Sequence, residues 1–257
     1  FLGKMPKLIP HFNLDDKTYS VQACFGARST TMDREGEITP VSVPDGCNNT
    51  SVIAGLKEFI GECEQIPPMY SAVKVNGKRL YQYARNGETV ARKPRKITIH
   101  WIENIQCNLP DLSFSVRCSK GTYIRSLVSD LGEKVGTGAY MTALTRTACG
   151  HFFTDKNAIK LDEIKNLNKI DLQKCFIDPQ CLFTEWHIIS AQSPETITHL
   201  GQGRSIPVAP DTLCLSDKGE QVSKSLVKDQ QNRIIAIGRL EFSQDGHGNF
   251  HPSNVLI

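Results

Sequence analysis

The chain has 257 residues, enough for one large domain or a main domain with a small companion at about 100 to 200 residues per domain. Hydrophobic residues make up 39%, charged residues 22% and aromatic residues 7%, and no apolar run approaches the roughly 18 residues needed to span a bilayer. A net charge of +3 decides nothing about partners, so membrane spans and wholesale disorder are the classes excluded at this level.

The first residue is Phe1 rather than Met, so the natural amino terminus is expected upstream and no targeting segment can be read. Thr18 to Phe25 alternates, with Tyr19, Val21, Ala23 and Phe25 facing one way, which predicts a half-buried strand with Tyr19 turned inward. Between Asn48 and Cys63, the residues Val52, Ile53, Leu56, Phe59 and Ile60 form a helical stripe, with Thr50 or Ser51 available as cap. Met69 to Val75 reads as a strand ending at the turn Asn76-Gly77, and a short helix from Arg79 to Asn86 stops at Gly87. Lys96 to Cys107 and Leu112 to Cys118 both alternate, and Asn108-Leu109-Pro110-Asp111 between them suits an antiparallel hairpin. After Gly121 the period changes: Ile124, Leu127, Val128, Leu131 and Val135 make a helical stripe ended by Gly136, and Tyr140 to Thr147 returns to strand. A helical, Lys/Asp-rich stretch from Leu161 to Lys174 precedes Asp178-Pro179. Beyond Trp186 short strands surround one expected helix, Pro194 to Leu200, capped by Ser193. The sum is a mixed, largely antiparallel α+β domain over residues 1–180 and a small, mostly β module over residues 186–257.

Nine cysteines, odd in number and without a C-x-x-C pair, fit a reducing, cytoplasmic setting and give no reason to assign a metal. Cys175 and Cys181 read as free thiols, and the Cys149/His151 pair carries no feature that would activate a thiol. No G-x-S-x-G elbow, P-loop or dinucleotide fingerprint is present, so serine-triad, phosphoryl-transfer and hydride chemistry lose ground. Charge is segregated along the chain: Lys74 to Lys96 holds eight basic residues against one acid, Glu88, for a local net of +7. Tyr70, Tyr81 and Tyr83 stand near or among these cations. The segment reads either as a phosphate-backbone footprint with stacking rings or as a solvated basic face, and charge alone leaves both open.

Two segments carry more. Gln65-Ile-Pro-Pro-Met-Tyr-Ser-Ala-Val-Lys-Val-Asn-Gly-Lys-Arg-Leu-Tyr81 and Cys118-Ser-Lys-Gly-Thr-Tyr-Ile-Arg-Ser-Leu-Val-Ser-Asp-Leu-Gly132 closely resemble the TruB family of tRNA pseudouridine synthases. Thr18 to Glu37 looks like that family's tyrosine strand and the acidic turn after it, and Gly136 to Arg146 like the strand after its helix. The tail, with Gly201-Gln-Gly-Arg204, Ile234 to Gly238 and Pro252, resembles its small PUA-like RNA-binding domain. The resemblance implies a pseudouridine-synthase sheet with flanking helices, and isomerisation of uridine 55 in the T loop by base flipping and aspartate-dependent C-glycoside formation. It implies the T arm of tRNA as partner, no cofactor, and no guide RNA or obligate protein partner.

By the same resemblance, Arg125 matches the arginine that pairs with the catalytic aspartate, and Tyr19 matches the tyrosine that stacks on the flipped base and is implicated in the last deprotonation. Tyr123 corresponds to a ring near that base. Leu144 corresponds to an apolar wall residue, for which plain core packing is an equal reading. Lys120, Lys78, Arg79 and Arg85 are the expected RNA-binding cations. Two features depart from the family pattern. The Gly-Thr-Leu-Asp-Pro type motif that holds the nucleophile is not in this chain, and Asp15 and Asp16 lack its context. The expected consequence is an Arg125 without an anionic partner and a chain that is inactive as it stands. Thr30 occupies a position where the family commonly has aspartate. The alternative reading is a non-catalytic tRNA-binding or tRNA-folding protein of the same fold.

Overall fold

A computed structural model describes residues 3–11, 16–150, 153–191, 193–209, 222–243 and 247–257. The chain divides into two units, residues 16–158 in one and residues 3–11 with 159–257 in the other. Both are built mainly on antiparallel sheets with a few helices, the expected α+β class.

In the first unit the strands are β1 (Lys17–Phe25), β2 (Ala27–Ser29), β3 (Ile38–Pro40), β4 (Gly61–Gln65), β5 (Lys74–Val75), β6 (Lys78–Arg79), β7 (Arg95–Asn108), β8 (Asp111–Cys118), β9 (Ala139–Cys149) and β10 (Phe153–Thr154). Its helices are α1 (Asn49–Lys57), α2 (Leu80–Arg85) and α3 (Ile124–Lys134). Six strands form one antiparallel sheet in the order β10-β9-β1-β8-β7-β4, which puts β1 between β9 and β8. The alternation of β1 works as the sequence predicts: Val21, Ala23 and Phe25 are buried. They meet Val52 and Leu56 of α1 and Leu127, Val128 and Leu131 of α3 in one core, with Ile99, Phe114 and Val116 from the hairpin β7–β8. Gly132 permits the close crossing of α3 and β9, since a Cβ there would lie 2.2 Å from the Ala139 nitrogen.

Two predicted elements change shape. The cap of α1 is Asn48, not Thr50 or Ser51: Asn48 Oδ1 accepts from the Ser51 nitrogen at 3.0 Å, while Ser51 Oγ accepts from the Asn48 nitrogen at 3.0 Å. The helix ends at Lys57 although the apolar period runs on to Ile60, because Gly61, at φ 110, starts β4 on the edge of the sheet. The strand expected over Met69–Val75 shrinks to Lys74–Val75, paired with Lys78–Arg79 around Asn76 (φ 50) and Gly77 (φ 82).

The second unit contains α4 (Leu161–Lys165), α5 (Lys169–Lys174), β11 (His187–Ser190), α6 (Pro194–Gly201), β12 (Ile206–Val208), β13 (Val222–Lys228), β14 (Ile234–Phe242) and β15 (Gly248–Val255). Five strands pair in the order β11-β13-β14-β15-β12 over a core that includes Ile189, Leu200, Val227, Leu240 and Phe250. Ser193 caps α6 as predicted, its hydroxyl accepting from the Thr196 nitrogen. The single helical stretch expected from Leu161 to Lys174 is two helices, because the Asn168 side chain caps a new start at the Ile170 and Asp171 nitrogens. The unit begins earlier than residue 186 and takes in residues 3–11. Gln180 accepts from Lys228 Nζ at 2.6 Å and donates to the Asn232 carbonyl at 2.8 Å, and Asn254 donates to the Lys7 carbonyl at 2.9 Å. Such long-range polar ties have no periodicity for a sequence reading to detect.

Candidate active site

α3 follows the Gly121 turn with Tyr123 at its N-cap position. The backbone of Tyr123 is gripped by the buried side chain of Gln65, the last residue of β4: Nε2 donates to the Tyr123 carbonyl at 3.1 Å and Oε1 accepts from the Tyr123 nitrogen at 2.8 Å. The first turn of the helix is thereby locked to the sheet edge, and Arg125 leaves it in a fixed direction. Arg125 Nη1 donates to Asp33 Oδ2 at 2.9 Å, and Nη2 donates to the Tyr70 carbonyl. The two side chains are only 23% and 16% exposed, so this is a partly buried, charge-assisted pair rather than a surface one.

Asp33 is delivered by the loop between β2 and β3. Met32 takes a left-handed φ of 63°, which turns the next residue toward α3. Backbone bonds join Arg34 nitrogen to Met141 carbonyl and Met141 nitrogen to Met32 carbonyl, both at 3.1 Å, and Ser126 Oγ of α3 reaches Met32 Sδ. Gly36 leaves room for the hydroxyls of Ser29, Thr30 and Thr31, each of which would lie within 2.7 Å of a Cβ there. The second Asp33 oxygen accepts from Thr31 Oγ1 and from the Glu35 nitrogen. The expectation of an Arg125 without an anionic partner is therefore corrected: Asp33 is that partner. Thr30 closes the same loop, its hydroxyl accepting from the Glu37 nitrogen at 3.1 Å.

Tyr19 is half-buried on central strand β1. Burial pushes its phenol above the usual tyrosine range, the Cys118 and Cys149 thiols push the same way, and Arg146 pulls it back. Cys118 itself is raised to about 11 by burial, which keeps it a thiol at neutral pH. Leu144 pairs in register with Val21 on the Tyr19 face and is 41% exposed, so it is no core residue and its side chain is open to a ligand. Asp33 bridges to Met141, which pairs with Ala23, so the Arg125 cluster adjoins the strand that carries Tyr19. Asp16 is engaged elsewhere, with His100 Nε2 and Arg117 Nη2 each at 3.0 Å. Arg117 pairs with Thr18, on the face away from Tyr19. Asp15 and His151 lie outside the described residues.

The predicted RNA-binding cations lie on the excursion between β4 and β7, apart from Lys120, which is exposed in the turn before α3. Lys78, Arg79 and Arg85 are all exposed. Lys78 sits 5.9 Å from the Tyr83 ring centre and Arg85 5.3 Å from the Tyr81 ring centre, so both tyrosines are already covered by cations of their own segment. Buried Leu80 anchors α2, and Arg92 donates to the Pro67 carbonyl at 3.1 Å, closing the base of the excursion.

The family model described as TruB family pseudouridylate synthase (N terminal domain) matches residues 1–124, and that described as tRNA pseudouridylate synthase B C-terminal domain matches residues 125–178. The chain belongs to the TruB family. This TruB chain is 46% identical over 149 residues to a protein of Burkholderia mallei (strain NCTC 10247) named tRNA pseudouridine synthase B, covering 58% of the chain and 49% of that relative. It is 45% identical over 152 residues to the like-named protein of Cupriavidus pinatubonensis (strain JMP 134 / LMG 1197), covering 58% and 48%. It spans about half the length of these curated relatives. Its fold superposes on a chain of the structure titled "Crystal Structure of a Cbf5-Nop10-Gar1 Complex" with a TM-score of 0.63 at 20% identity, covering 100% of this chain and 71% of that one. The junction between the two TruB family models, at residues 124 and 125, falls inside the first turn of α3, so the site is assembled from both matched segments. Asp33 and Gln65 both lie in segments that carry the family resemblance, but their roles depend on partners 92 and 58 residues away in sequence.

Proposed function

We propose that this chain bears the pocket of a tRNA pseudouridine synthase acting on uridine 55 of the T loop, with the second unit serving as a PUA-like RNA-binding module. The observation that carries the reading is the Arg125–Asp33 pair at 2.9 Å, where Arg125 also donates to the Tyr70 carbonyl and so joins the two segments that resemble the family's central motifs. The relatives named tRNA pseudouridine synthase B support the substrate class. The reaction breaks the C1′–N1 bond of uridine, turns the held base, joins C5 to C1′ and removes the proton from C5. A guanidinium has five N–H donors, and Asp33 and Tyr70 use only part of that fork. The remainder can orient a second carboxylate, the nucleophile that this reaction needs. Extruding the base costs a few kcal/mol, which stacking on Tyr19 and Tyr123 and phosphate binding by Lys78, Arg79, Arg85 and Lys120 offset.

Within the 257 residues no aspartate stands in a Gly-x-Leu-Asp-Pro motif, Asp33 is engaged by Arg125, Thr31 and the Glu35 nitrogen, and Asp16 is engaged by His100 and Arg117. The chain of 257 residues accordingly binds T-arm RNA and forms no pseudouridine. The test expresses residues 1–257 alone and together with the upstream coding segment, and measures tritium release from tRNA labelled at uridine C5. Release from the longer protein only is the expected result. Release from the short form would make a carboxylate of this chain the nucleophile, and tight binding without release in both forms would favour a non-catalytic tRNA-binding protein.

A further inference from the structure

Strand β9 does not run in simple register along β1. Lys17 pairs with Cys149 and Thr18 with Ala148, but Tyr19 pairs with Arg146 and Val21 with Leu144, and beyond a second irregularity Ala23 pairs with Met141. The first shift skips Thr147 and the second skips Thr142. An unbroken register would place Thr147 opposite Tyr19 and Thr145 opposite Val21, because antiparallel partners follow one another residue by residue. The bulge replaces both threonines on that face with Arg146 and Leu144. Bulges of this kind cluster beside active sites, where they re-aim side chains. Directly opposed residues share a face with Cβ atoms about 4.5–5.5 Å apart, so an arginine there can reach along a tyrosine ring to its hydroxyl.

We propose that Arg146 is a positioning residue for Tyr19, presented by the bulge at Thr147 so that its guanidinium holds the tyrosine hydroxyl and stabilises negative charge on it. The inference rests on the synthase reading for its catalytic consequence but not for the contact itself. In that reaction Tyr19 must be a phenolate when it takes the proton from C5, the C–H electron pair returning to the ring as the C5–C6 double bond. The phenol gives up its own proton to solvent beforehand, and a cation beside the oxygen favours that state. Among the described residues the titratable or charged groups that face Tyr19 are Lys17 on its own strand, Cys118 on β8, and Cys149 and Arg146 on β9. Both thiols and burial oppose ionisation of the phenol, while Arg146 favours it. Arg146 is exposed, so replacing it removes no core packing.

The full-length protein is labelled with tyrosine carrying 13C at Cζ, the Tyr19 signal is identified by its loss in Tyr19→Phe, and its titration is followed in Arg146→Gln and Arg146→Lys. The glutamine variant should titrate at higher pH than the parent, and the lysine variant should return most of the way. Single-turnover isomerisation should slow by about tenfold or more in Arg146→Gln, most strongly on the low-pH side of the profile, with tRNA affinity and its salt slope unchanged. An unmoved Tyr19 titration would overturn the proposal whatever the activity. A weaker affinity with a reduced salt slope and an intact rate would instead make Arg146 a phosphate ligand, which also overturns it. If the titration moves as expected in a protein without synthase activity, the contact stands and the synthase reading fails.

Discussion

Two regions of the first unit are described by the same family resemblance and are built in opposite ways. The site around α3 and β1 is tied from several directions: Gln65 grips Tyr123, Asp33 and Tyr70 hold Arg125, and Met141 pins the loop that carries Asp33. The excursion between β4 and β7 rests on a two-residue hairpin, a six-residue helix and the buried side chain of Leu80, with its cations turned to solvent. On the proposed reading, chemistry that depends on sub-ångström placement sits where side chains are over-determined. Attraction to a polyanion works at longer range and tolerates a looser support. Rate and affinity should therefore separate by region.

The sharpest separation is expected at Arg125. Arg125→Ala leaves Asp33 a partly buried carboxylate without its cation, and we expect turnover to fall by about 10²–10³-fold while tRNA affinity changes little. Single-turnover tritium release by the longer protein, beside filter binding, decides it, and equal losses in both would erase the contrast. Gln65→Leu keeps bulk but strands the nitrogen and carbonyl of Tyr123, at a cost of about 1–3 kcal/mol in denaturant unfolding and a slower chemical step. A variant as stable and active as the parent would show that the grip on α3 is dispensable.

On the excursion the pattern should reverse. Neutralising Lys78, Arg79 and Arg85 together should lower the slope of log affinity against log salt by about one unit for each phosphate that is no longer neutralised, with the rate at saturating RNA intact. An unchanged slope would return the segment to a solvated face. The smallest effect belongs to Asp16. Burial pushes its carboxyl up, but the bonds from His100 and Arg117 outweigh that and hold it below the usual aspartate value. A depressed carboxyl contributes stability above its unfolded value near 3.8, and that contribution is lost as pH falls through the lower folded value. Asp16→Asn should cost about 0–1 kcal/mol at neutral pH and flatten the acid limb of the unfolding curve. A change in catalytic rate instead would place Asp16 in the site.

Much of the frame was legible because it rests on local rules. The alternation of Thr18 to Phe25, the stripe from Ile124 to Val135, the hairpin turn at Asn76-Gly77 and the cap at Ser193 each depend on residues within one element. The candidate site was legible only through motif resemblance, which singled out Tyr19, Tyr123, Leu144 and Arg125 without their partners. Where local reading slipped, a neighbour at long range had intervened: Gly61 begins a sheet strand where the helical stripe of α1 still had apolar residues to spend, and Gln180 binds Lys228 and Asn232 across a boundary drawn by composition.

By itself the sequence determined the α+β class, the order of the main strands and helices, the family, and which side chains stand in its motifs, because periodicity and turn chemistry are properties of adjacent residues. Tertiary structure decided that Arg125 meets Asp33, that Gln65 clamps the start of α3, and that β9 slips by one residue to put Arg146 and Leu144 beside Tyr19 and Val21. These are pairings between segments that lie tens of residues or more apart, and a strand register is fixed only when both strands pack against the same core.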